Sequence, residues 1–147
     1  MNKVPILRLK DTLIVAFQGE LTDTSAVCFQ NDLLEKIYST KAKGVVIDIS
    51  VLDIVDSFLG RTISDTACMI KLLGAELILV GMKPSVAITL IELGLSISKV
   101  TTALDLDTGM EKLNALIKLN EIQEIDYVQL TGEEKNDSIS GGCSGGK

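Results

Sequence analysis

A chain of 147 residues has room for one compact core, since single domains usually run to roughly 100–200 residues. Its formal charge of −6, with only three phenylalanines and two tyrosines, argues against a cationic, base-stacking grip on nucleic acid. Histidine is absent, which removes the commonest general base, the commonest metal ligand and the side chain that switches charge near neutral pH.

Hydrophobic residues make up 46% of the chain. They come in short runs broken by charges, and none approaches the roughly 20 apolar residues of a membrane helix. The start, Met1 to Pro5, carries one charge and no long apolar stretch of the signal-peptide kind. The expectation is a soluble, cytoplasmic protein that does not bind membranes. Cys28, Cys68 and Cys143 are odd in number and widely spaced, unlike a disulfide or zinc framework, and Cys28 and Cys68 read as core fillers.

In chain order, Ile6–Leu9 and Thr12–Phe17 are β-rich runs split by Lys10-Asp11, so they read as an opening hairpin. Thr24 to Thr40 places Val27, Leu33, Leu34 and Ile37 at largely helical spacing. Gly44 to Ile49 is a nearly continuous apolar run, as in a central strand covered on both faces. Asp56 and Ser57 are helix-starting residues, and the apolar positions Phe58, Ile63, Met69, Ile70 and Leu73 follow before a stop at Gly74.

Glu76–Val80 reads as another buried strand, and Pro84 suits the first turn of a helix that continues to Leu93. Ile97 to Thr102 suggests a short edge strand. Asp107 to Asn120, with Met110, Leu113, Leu116 and Ile117 on one face, reads as a final helix. The order ββαβαβαβα predicts an α/β fold: a mixed sheet, antiparallel at its opening and parallel later, with helices covering it. One domain over residues 1–120 is expected, followed by an extension over 121–147 whose end, rich in glycine, serine and charge, reads as a flexible tail.

Three features invite chemistry. The tail sequence Gly141 to Lys147 matches part of a phosphate-cradling loop, but it lacks the Ser/Thr for magnesium and no helix can follow it, so it reads as plain tail. Asp48, Asp53 and Asp56 cluster beyond the predicted central strand, the edge where open α/β sheets place their sites. A magnesium site there would want further acids and a lysine that the sequence does not supply, and Asp48 reads as a cap on loop amides. Ser57 lies at the same edge and at a helix start, where free N–H groups and the helix dipole favour a phosphate. On spacing alone it reads more often as a plain N-cap.

A hydrolase with Ser57 as nucleophile is disfavoured, because only Lys71, Lys83 or a carboxylate could activate the hydroxyl and none stands at a defensible spacing. The sequence shows no cofactor or metal motif.

The runs Gly44 to Asp48, Asp53 to Phe58 and Gly74-Ala75 before a strand resemble the core signature of STAS domains, named for sulfate transporters and anti-sigma antagonists. Within that family, Asp23 to Tyr38, Gly81 to Gly94 and Thr102 to Leu106 are similar to RsbS-type stressosome scaffolds, and the resemblance covers roughly residues 3–120. It implies that Ser57 is phosphorylated by an RsbT-like switch kinase, with Asp53, Asp56 and Phe58 around the phosphosite meeting the partner. The unphosphorylated protein would hold the kinase in a large assembly with RsbR-like sensory paralogues, through self-association, and a phosphatase would reset it. The alternatives are a free anti-sigma factor antagonist acting as a monomer or dimer, and a small-ligand-binding STAS module. The extension from Glu121, with Cys143, departs from the family pattern.

Overall fold

The structure, a computed structural model, describes residues 4–19, 21–95 and 100–131. It divides into two units, residues 1–117 and residues 118–147. The first unit holds the whole sheet. Its strands are β1 (Ile6–Leu9), β2 (Thr12–Ala16), β3 (Gly44–Asp48), β4 (Glu76–Val80) and β5 (Thr101–Ala103). The helices are α1 (Asp23–Thr40), α2 (Ser57–Leu72), α3 (Pro84–Glu92) and α4 (Leu106–Thr131), the last beginning in the first unit and ending in the second.

The opening hairpin pairs Ile6 with Val15 and Leu9 with Thr12, and Lys10 takes a left-handed φ of 58° in its two-residue turn. Such turns match the twist of the flanking strands. From β2 onward every pairing is parallel, and the spatial order is simply β1-β2-β3-β4-β5. Each βαβ connection therefore steps in the same direction. Right-handed crossovers then place α1, α2 and α3 on one face of the sheet and leave α4 for the other.

Packing follows that topology. On the three-helix face, Leu13, Val15, Val45, Ile47, Leu77 and Leu79 meet Leu33 and Ile37 of α1, Ile63 and Ile70 of α2 and Val86 of α3. On the opposite face, Val46, Ile78 and Val80 meet Leu113 of α4. β3 is central and buried on both faces, as its unbroken apolar run predicts.

Several details differ from the sequence reading. α1 buries Ala26, Phe29, Leu33 and Ile37, while Val27 is exposed; Phe29 meets Phe17 edge to face at 5.0 Å. Cys28 and Cys68 lie on exposed helix faces and fill no core, because their neighbours Phe29 and Ala67 take the inward positions. β5 is placed at Thr101–Ala103, and residues 96–99 of the expected edge strand lie outside the described residues. α4 continues past Asn120 to Thr131. No glycine or proline interrupts Met110 to Thr131, so nothing stops propagation where the apolar periodicity weakens. The tail motif at Gly141 to Lys147 and Cys143 lie outside the described residues.

Candidate functional site

The site is built where β3 ends and α2 begins. Asp48 closes β3, and its Oδ1 accepts the Ser50 N–H at 2.9 Å, so it caps a loop amide as the sequence suggested. Gly81, at the end of β4, takes φ +79° beside it; a Cβ there would lie 3.0 Å from Asp48 Oδ1 and 2.8 Å from Ser50 Cβ. Only glycine suits that conformation and that approach.

Asp56 is the N-cap of α2. Its backbone is extended, and its Oδ1 accepts the Leu59 N–H at 2.8 Å while its carbonyl accepts the Gly60 N–H at 2.9 Å. This resolves the ambiguity at the helix start. Ser57 is the first helical residue and not the cap; it is exposed, and its hydroxyl makes no hydrogen bond among the described residues. Phe58 beside it is 41% exposed.

Asp53 is held from across the sheet edge. The Lys83 ammonium at the start of α3 pairs with its carboxylate, and Ser85 Oγ donates to its carbonyl at 3.1 Å. The three carboxylates are thus each engaged by a different partner: Asp48 by Ser50, Asp53 by Lys83, Asp56 by Leu59. No group of metal-ligating side chains suited to an ion is found among the described residues.

The two lysines considered as bases for Ser57 are occupied elsewhere. Lys83 binds Asp53, and Lys71 pairs with Glu76 at 3.3 Å. Fourteen residues of helix put Lys71 about 21 Å from Ser57. The structure also shows parts of the site that sequence spacing did not reveal: the grip of Lys83 and Ser85 on Asp53, some thirty positions earlier, and the exposure of Ile54 next to it in the chain.

Two further features bear on what the site holds. A cavity of about 20 Å³ lies inside the three-helix face, lined by Phe17, Phe29, Ile49, Leu59, Ile63 and Leu79 among others. That is room for about one water. At the next sheet edge Asp105 accepts the Thr108 N–H at 2.8 Å, and this bond holds its carboxyl below the ordinary carboxylate range. No helix among the described residues is long and apolar enough to cross a membrane.

Comparison with known proteins gives the family of the fold. The STAS domain profile matches residues 3–109. A solved structure of Moorella thermoacetica RsbS carrying a serine-to-glutamate substitution superposes with a TM-score of 0.73 at 42% identity, over 80% of this chain and 99% of that one. A chain from the structure described as the molecular architecture of the stressosome, a signal integration and transduction hub, gives 0.66 at 41% identity, over 76% and 97%. The RsbT co-antagonist protein RsbRD of Bacillus subtilis (strain 168) is 31% identical over 115 residues, which span 78% of this chain and 41% of that protein. The chain spans less than half the length of the RsbR relatives it matches. With its mixed five-stranded sheet and its similarity to RsbS and stressosome structures, the chain belongs to the STAS domain family.

Proposed function

We propose that the chain is a non-enzymatic scaffold subunit of a stressosome-like assembly, which captures an RsbT-like serine kinase and releases it when Ser57 is phosphorylated. The observation that carries this reading is the division of labour at the start of α2: Asp56 does the capping, so the Ser57 hydroxyl is exposed and unengaged. In the transfer step, Ser57 Oγ attacks the γ-phosphorus of ATP held by the kinase. An O–P bond forms, the P–O bond to ADP breaks, and the hydroxyl proton passes to a base of the kinase. A phosphatase returns the serine by hydrolysis of the same O–P bond.

The physical consequence is local. About −1.5 to −2 charges appear beside Asp53, Asp56 and Phe58, at a helix N-terminus that favours the anion but on a surface fitted to a partner without it. Bulk and like-charge repulsion then weaken capture. A chain without histidine barely changes its side-chain charge between about pH 5 and 8, so a covalent phosphate is the available way to recharge this surface.

The topology supports a protein partner over a small ligand. Open α/β sheets bind ligands where the strand order reverses and helices diverge to opposite faces. Here the parallel strands run β2-β3-β4-β5 without reversal, so no such crevice opens at the Ser57 edge. The core cavity, with room for about one water, is far below the size of a nucleotide site. Engagement of Lys71 by Glu76 and of Lys83 by Asp53 supports a modified serine over one activated by a lysine base.

Titration of a purified RsbT-like kinase against wild type, Ser57→Ala and Ser57→Asp tests the reading. Capture by the first two and loss in the third is the expected result, and equal binding by all three would remove the gating role. Particle mass in the presence of RsbR-like paralogues separates the scaffold from a free antagonist: a lone small species would favour the latter, acting through the same serine on an anti-sigma kinase. Site-resolved phosphopeptide mass spectrometry before and after stress, with co-purifying proteins identified, checks that Ser57 gains phosphate as the kinase leaves.

A further inference from the structure

The segment joining β3 to α2 is held at several points. The Ile49 N–H donates to the Val80 carbonyl at 3.0 Å, the Ser50 N–H to Asp48 Oδ1, and the Leu52 N–H to the Ile49 carbonyl at 3.0 Å. Leu52 and Val55 bury their side chains in the core, and Asp56 caps the helix. Asp53 is gripped twice from the start of α3, through its carboxylate by Lys83 and through its carbonyl by Ser85.

Between the gripped Asp53 and the buried Val55 stands Ile54, 84% exposed. A branched apolar side chain in water is solvated at a cost, and here the loop that carries it is held by its neighbours. Those two properties make a strong interface anchor, because little conformational freedom remains to be lost on binding.

Lys83 itself is explained by this arrangement and not by its own helix. It occupies the N-cap of α3 and makes no side-chain cap hydrogen bond there, at the helix end where a cation is disfavoured. Exposed ion pairs add little to stability, so what the pair with Asp53 supplies is position.

The occupant follows from the chemistry at Ser57. A kinase must bring its γ-phosphorus within about 3–3.5 Å of the serine oxygen. Ile54 lies three residues away, a span of at most about 11 Å of chain. An enzyme acting on Ser57 therefore works within about 11 Å of the Ile54 backbone. We infer that Ile54 is the docking anchor for the kinase that modifies Ser57, seated in an apolar pocket beside the catalytic cleft, and that Lys83 and Ser85 are positioning residues that hold it out. This inference rests on reading Ser57 as the phosphoacceptor.

The test is steady-state phosphorylation of the full chain by a purified RsbT-like kinase with ATP, with Ser57 as the monitored site. Ile54→Ser is expected to raise KM on the order of 30-fold with kcat nearly unchanged, the size of a hot-spot loss. Lys83→Met is expected to raise KM roughly five-fold by loosening the loop, and Lys83→Arg to restore it. Leu72→Ser, an equally exposed site about 22 Å along α2, serves as the control and leaves both constants alone. Thermal melts of each variant establish that it is folded.

An unchanged KM in Ile54→Ser, with wild type phosphorylated normally, overturns the anchor and leaves the phosphoacceptor intact. A loss in Lys83→Met that Lys83→Arg does not recover overturns the positioning role. Absence of phosphate on Ser57 in wild type overturns the proposed function and the anchor together.

Discussion

The two faces of the sheet are built on different principles. The face under α1, α2 and α3 spreads its burial over many side chains from six elements, whereas the other gathers Val46, Ile78, Val80 and Leu113 under a single helix. The second face compensates by close approach. Gly44 and Gly109 carry no Cβ where one would lie 2.7 Å from the Leu113 methyls and 2.5 Å from Val80 Cγ1 respectively. Breadth of contact holds one side and tightness the other, and the Ser57 edge is supported from the broad side through α2 and α3.

The largest effect that would break this comparison lies on the broad face. Leu33→Ala or Ile70→Ala removes a fully buried side chain, and each should cost about 2–5 kcal/mol by denaturant unfolding. On the narrow face, Gly109→Ala gains up to about 1 kcal/mol of helix propensity. Overpacking against the stiff Val80 branch costs about 1–3 kcal/mol, so a net loss is expected. A stabilised Gly109→Ala protein would show that the narrow face is looser than its contacts imply.

Next in size is the cap of the site helix. Asp56→Ala should cost about 1 kcal/mol, while Asp56→Asn, which keeps the acceptor, should cost less. Asp105 sharpens the comparison at the start of α4. Its hydrogen bond from Thr108 lowers its folded pKa, so its contribution to stability is present above the unfolded pKa and is lost as pH falls through the lowered folded value. The stability difference between wild type and Asp105→Ala should therefore shrink in acid melts and stay constant above about pH 5. The smallest effect is expected at the exposed Lys71–Glu76 pair, where Lys71→Met should shift stability by less than about 1 kcal/mol.

The architecture was legible in the sequence because its signals are local. Period-2 and period-3.6 patterns, the Asp56 start of α2 and the Pro84 start of α3 all act within a few residues. The inward set of α1 was harder to read. Val27 and Cys28 sit one and two positions after Ala26, and a helix turns about 100° per residue, so a small shift of phase exchanges the buried Ala26 and Phe29 for exposed neighbours.

At the site, the helix start at Asp56-Ser57 was visible, but which of the two caps and which stays free depends on geometry that both residue types permit. The Lys83 and Ser85 hold on Asp53 could not be read at all. It joins positions brought together only when β3 and β4 pair, Gly44 beside Glu76 and Asp48 beside Val80.

The sheet's two borders carry one further consequence. β1 has four residues and β5 three, and β1 presents Arg8 and the adjoining Lys10 along with two exposed leucines, Leu7 and Leu9. Short borders, one of them also charged, are poor templates for strand addition by another chain. Copies of such a chain therefore offer one another little open strand edge for backbone pairing.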